Sequence, residues 1–105
     1  MGDGCKFGSM PLNQSFQEFE AQHRTQGFDA VLERRWAPLT VLATHVHEFA
    51  AKALVVRGEM WLTVGAHTQH LQAGNTFELD ARVPHDERYG SEGATYWVAR
   101  RNDLG

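Results

Sequence analysis

Cysteine is almost missing from this chain: Cys5 is the only one in 105 residues. A single thiol excludes an internal disulfide and any C-x-x-C redox pair, and it fits a reducing, cytoplasmic setting. No run approaches the roughly 20 apolar residues of a membrane helix. The N-terminus also lacks the charged-then-apolar order of a signal peptide, so no membrane association is expected. Basic runs are absent as well. The ten Lys and Arg are scattered through a chain of formal net charge −3, which leaves no electrostatic footprint for nucleic acid. Without a glycine-rich phosphate loop or a Ser-His-Asp grouping, nucleotide binding and nucleophilic hydrolysis have no residues to carry them.

What remains is a chain of one-domain length, 42% hydrophobic and 22% charged, which should fold by burial. Three stretches differ in character. Residues 1–9 are polar and glycine-rich and read as a flexible leader, either native or an expression tag joined to a start at Met10. Residues 10–28 hold one short helix: Ser15 and Glu18 make a capping-box pattern, Phe16 and Phe19 share a face, and Gly27 suits the left-handed turn that ends it. The helix is expected over 16–26, packed on the outside of a β-barrel. From residue 29 to 105 the sequence changes to short runs of Val, Leu, Thr, Trp and Tyr punctuated by Pro38, Gly58, Gly65, Gly74, Pro84, Gly90 and Gly93. Strands are expected at 30–36, 40–47, 53–56, 59–64, 68–71, 76–79, 85–89 and 95–100. Such spacing reads as an all-β barrel or jelly roll.

Six histidines are the chemically distinctive residues. In Thr44-His45-Val46-His47 the two imidazoles are two apart, so on a strand both point to one face and can converge on one ion. His85, opening a strand straight after Pro84, is a candidate third ligand. Glu87 and Tyr89 share its parity. Glu87 is either a further ligand or a carboxylate paired with Arg88 or another base, and either residue is placed for proton transfer. Glu48 should face away, His67 and His70 are expected to be exposed, and His23 is read as surface. Trp61, Trp97 and Tyr89 either line a barrel mouth or pack in the core. Arg100 and Arg101 either anchor a carboxylate or are solvated.

Two stretches resemble the motifs of the cupin family. The first motif (Gly, five residues, His-x-His, three or four residues, Glu, six residues, Gly) is matched in spacing by Leu39, His45, His47, Ala51 and Gly58. The second (Gly, five residues, Pro-x-Gly, two residues, His, three residues, Asn) is matched by Gly74, Asp80, Arg82, His85 and Tyr89. The resemblance spans about residues 31–100. It implies a single-domain cupin-type β-barrel with a metal site at His45, His47 and His85, whereas the usual glutamate position holds Ala51. That leaves either a three-histidine site with open positions or an empty one. The implied ion is a divalent transition metal (Fe, Mn, Ni, Cu or Zn), since imidazole suits such ions. The implied activity is that of an oxygenase, isomerase or lyase on a small organic molecule. The alternative is a non-catalytic sensing or small-molecule-binding module. Pairing as a homodimer is also expected from the resemblance.

Overall fold

The computed structural model describes residues 5–10 and 13–102. Seven strands and one helix follow one another as β1 (Cys5–Ser9), α1 (Phe16–Thr25), β2 (Ala30–Trp36), β3 (Val41–His45), β4 (Phe49–Val64), β5 (His67–Gln72), β6 (Asn75–Leu79) and β7 (His85–Asn102). All strand pairs are antiparallel, in the order β1-β6-β4-β7-β2, with β3 added on β7 and β5 on β4.

The long strands β4 and β7 organise the molecule. Sequence reading separates 53–56 from 59–64 and 85–89 from 95–100 at glycines, but the chain bends there instead of turning. Register shifts fall between Val55 and Arg57 and between Gly58 and Met60. Before the bend β4 pairs with β6, and after it with β5. The buried positions change parity across it, from Ala51, Ala53 and Val55 to Met60, Leu62 and Val64. In β7 they pass from His85, Glu87 and Tyr89 to Ala94, Tyr96 and Val98. A strand that gains one residue in a bulge exchanges its faces, so both halves keep their apolar side chains inside. The crossing is too close for a side chain: a Cβ on Gly58 (φ 74°) would stand 2.1 Å from the Gly93 carbonyl oxygen. The expected tight turn after Val64 is present, with Gly65 at φ 60° and Val64 paired with His67.

Helix α1 keeps its capping box. Glu18 N–H donates to Ser15 Oγ at 3.1 Å and Ser15 N–H donates to Glu18 Oε1 at 2.7 Å, an arrangement that stabilises a helix start by about 1 kcal/mol. The helix covers the outer face of the sheet, where Phe19 and Phe28 join Leu54 and Ala99 in a second apolar cluster.

Two expectations change here, and one alternative is decided. Cys5–Ser9, read as part of a flexible leader, forms β1 and pairs along β6, because the edge of β6 offers backbone groups that a neighbouring strand can satisfy. His23, read as surface, is fully buried: it lies one helical turn from Phe19 and donates from Nδ1 to the Phe19 carbonyl at 2.8 Å. Of the two alternatives for Trp97, packing holds and not the barrel mouth. The indole packs edge-on against Phe16 under the helix, and its Nε1 donates to Glu33.

Candidate metal centre

The three histidines arrive from two places that strand pairing brings together. His45 ends β3 and is the register partner of His85, the first residue of β7. His47 lies just past the strand that was expected to contain it, in the link to β4, where its carbonyl accepts from Arg82 N–H at 2.8 Å. The rings nevertheless converge. Centroids are 4.4 Å apart for His45 and His85, 4.6 Å for His47 and His85, and 5.5 Å for His45 and His47. One nitrogen from each ring lies within 4.8 Å of the others.

Backbone contacts set which nitrogen faces inward. His45 Nδ1 lies 2.8 Å from the Ala43 carbonyl and His85 Nδ1 lies 2.9 Å from that of Val83. A carbonyl only accepts, so each Nδ1 carries a proton, and in the neutral ring the lone pair is on Nε2. This is the orientation metal-bound histidines adopt, with the outer nitrogen tied to a carbonyl. His85 Nε2 is buried without a hydrogen-bond partner.

Glu87 lies beside this group, against two of its three histidines. Its side chain is 7% exposed, and its Oε2 lies 3.4 Å from His45 Nε2 and 3.5 Å from His85 Nε2. The Tyr89 hydroxyl donates to the other oxygen, Oε1. The carboxylate therefore turns one oxygen toward the histidines and is held by the other. Burial favours the neutral acid, but His85, the Tyr89 hydroxyl and the charge of His45 outweigh it and bring the Glu87 pKa below the usual range. Burial would lower His85 too, yet the Glu87 carboxylate and the Val83 carbonyl raise it. His47 moves the other way, to about 4, through burial and then the charges of His85 and His45.

These side chains open on a cavity of about 140 Å³, lined on its apolar side by Leu42, Phe77, Leu79 and Val98 among others. Ala51 lines it as well, so the place of the motif glutamate is open space, while Glu87 presents a carboxylate from β7. Tyr89 is 1% exposed, stacks on Trp36 and does not reach the cavity. Its contact with the site runs through Glu87. Elsewhere, Glu48 is exposed and pairs with Arg82, and His70 pairs with Glu59 while stacking on Trp61. His67 is exposed.

Sequence reading overlooked Arg34 and Trp36 and undervalued Arg100, all of which line the cavity. The signal was parity: Glu33 and Arg35 are exposed in β2, so Leu32, Arg34 and Trp36 face the other way.

No protein-family model matches the chain, and no curated protein matches it by sequence. Solved structures do. An RmlC-like cupin from Shewanella frigidimarina superposes with TM-score 0.62 at 17% identity, over 99% of this chain and 82% of that one. A cupin domain from Schizosaccharomyces pombe gives 0.65 at 13% identity, over 94% and 61%. A structure of DMSP lyases gives 0.63 at 23% identity, over 69% of this chain and only 37% of that one. The chain therefore has the cupin jelly-roll fold, and three histidines that can hold a metal stand together inside it. Among the described residues no helix is long and apolar enough to cross a membrane.

Proposed function

We propose that His45, His47, His85 and Glu87 hold one divalent transition metal and that the chain is a metal-dependent enzyme acting on a small organic substrate in the adjoining cavity. The observation that carries this reading is the convergence of the three imidazoles, one nitrogen of each lying within 4.8 Å of the others, with His85 Nε2 buried among them. Three imidazoles and one carboxylate suit Fe, Mn, Ni, Cu or Zn. When bound, such an ion supplies a Lewis acid for lyase or isomerase chemistry, or a redox centre for an oxygenase.

The protein's own groups do the rest. The Ala43 and Val83 carbonyls hold the His45 and His85 rings in one tautomer, and Tyr89 fixes the Glu87 carboxylate. The low pKa of His47 keeps that ring neutral and its lone pair free near pH 7. The apolar wall of the cavity excludes water from a bound substrate.

Metal analysis after reconstitution with Fe, Mn, Ni, Cu and Zn tests the proposal. One equivalent of at least one metal is expected, falling to a small fraction in His85→Ala. Sub-stoichiometric binding of all five by folded wild-type protein would overturn it.

A further inference from the structure

The cavity beside the histidines carries a charge pattern that metal binding does not explain. Arg34 and Arg100 both line it. They come from inward positions of neighbouring strands, since Ala30 pairs with Arg100 and Arg34 with Tyr96 along the β2–β7 ladder. Each guanidinium lies over an aromatic ring, Arg34 Cζ 4.8 Å from the centre of Trp36 and Arg100 Cζ 4.4 Å from that of Phe49. Neither has a carboxylate within ion-pair distance among the described residues. Arg100 Nε is buried without a hydrogen-bond partner, and so is Trp36 Nε1 on the same wall. The arrangement is electrostatically costly: burial and the charge of Arg34 both work against the charged form of Arg100. Glu87, the one acid lining the cavity among the described residues, is already engaged with His45, His85 and Tyr89.

Two unneutralised guanidiniums, one with its Nε–H buried, and the buried indole N–H of Trp36 ask for an acceptor-rich anion. The fork of a guanidinium matches a carboxylate, giving paired charge-assisted hydrogen bonds. Leu42, Phe77, Leu79 and Val98, which also line the cavity, ask for an apolar remainder. The volume of about 140 Å³ limits its size, because an apolar cavity of roughly 150 Å³ accommodates benzene, on the order of six non-hydrogen atoms. A formal net charge of −3 for the whole chain makes this local excess of positive charge a feature of the cavity and not of overall composition.

We propose that Arg34 and Arg100 hold the carboxylate of a small organic monocarboxylic acid, which is the substrate class of the cavity. This deepens the metal-enzyme reading above and rests on it for the fate of the bound acid, but not for the binding itself.

Isobutyrate and its neutral isostere isobutyramide are the probes, titrated calorimetrically into zinc-loaded and chelator-treated wild-type protein and into Arg34→Met and Arg100→Met. A hydrogen bond to a charged group is worth about 1.5–3 kcal/mol, so isobutyrate should bind about tenfold or more tighter than the amide. Each substitution should weaken isobutyrate about tenfold and leave the amide unchanged. The wild-type comparison needs no variant to fold. Equal binding of acid and amide, or binding of neither, overturns the proposal. So does acid binding that requires zinc and ignores both substitutions, which would place the carboxylate on the metal. Arginine-dependent isobutyrate binding by protein that takes up no metal would uphold the carboxylate site and refute the metal reading instead.

Discussion

Removing a single oxygen, in Tyr89→Phe, separates the support of the site from its ligands. The ring stays, and with it the stack on Trp36 at 5.4 Å between centroids and 25° between planes. What is lost is the hydroxyl that donates to Glu87 Oε1, between residues 1% and 6% exposed. A hydrogen bond to a buried charged acceptor contributes about 1.5–3 kcal/mol, and water has little access to replace it, so a loss of about 2 kcal/mol is expected. For a domain near 100 residues each kcal/mol moves Tm by about 4–8 °C, giving a fall of roughly 8–16 °C in metal-free protein followed by circular dichroism. The Glu87 pKa, held down in part by this hydroxyl, should rise, and its free oxygen should lose its fixed direction. A group supporting a ligand in this way typically changes metal affinity by about 10–100-fold, which zinc titration calorimetry would read. If Tyr89→Phe melts within about 2 °C of wild type and binds zinc equally well, the hydroxyl does not hold Glu87 in place and the carboxylate owes its position to something else.

Other outcomes are expected on the same structural grounds. Leu39 sits at φ 61° and is 71% exposed. A left-handed conformation costs a non-glycine residue about 1–2 kcal/mol, of which the greater freedom of unfolded glycine takes back about 0.5–1. Leu39→Gly should therefore gain about 0.5–1 kcal/mol in urea unfolding and Leu39→Ala nothing, and a loss in the glycine variant would contradict the strain. His23 is buried neutral, with burial the main cause of its lowered pKa, while Lys52 opposes and Glu78 favours its charge. The unfolded imidazole takes up a proton near pH 6.5 and the folded one only at lower pH. The unfolded state thus binds more protons as pH falls below that value, and stability declines. His23→Leu should flatten the dependence of Tm on pH between about 7 and 5 in chelator-treated protein, and an unchanged slope would show that His23 titrates normally.

Much of this molecule is readable from residue order, for identifiable reasons. The capping box and the hairpin at Gly65 depend on contacts a few residues long, so the local sequence carries them complete. The histidine triad is legible because motif spacing survives where residue types do not. Leu39 and Arg82 stand at glycine positions of the two motifs, and they are the two non-glycine residues at positive φ among those described, at 61° and 64°. The backbone keeps the glycine conformation after losing the glycine. Less legible were the continuous strands β4 and β7, because a glycine that bends a strand and one that ends it look alike in sequence. Glu87 could be placed near His85 by parity, but its approach to His45 depends on the pairing of β3 with β7. Arg34 was hidden and Arg100, a possible carboxylate anchor, was undervalued because a charged residue in a strand is usually solvated. Only the sheet register shows that both share one cavity.

Whether His45, His47, His85 and Glu87 act as one ligand set is tested most directly by a crystal structure of zinc-loaded protein. A single ion is expected, bonded to a nitrogen of each of the three histidines and to the Glu87 carboxylate, with the Tyr89 hydroxyl still on the far oxygen. An ion held elsewhere, or one held by the histidines with Glu87 turned away, would contradict that assignment.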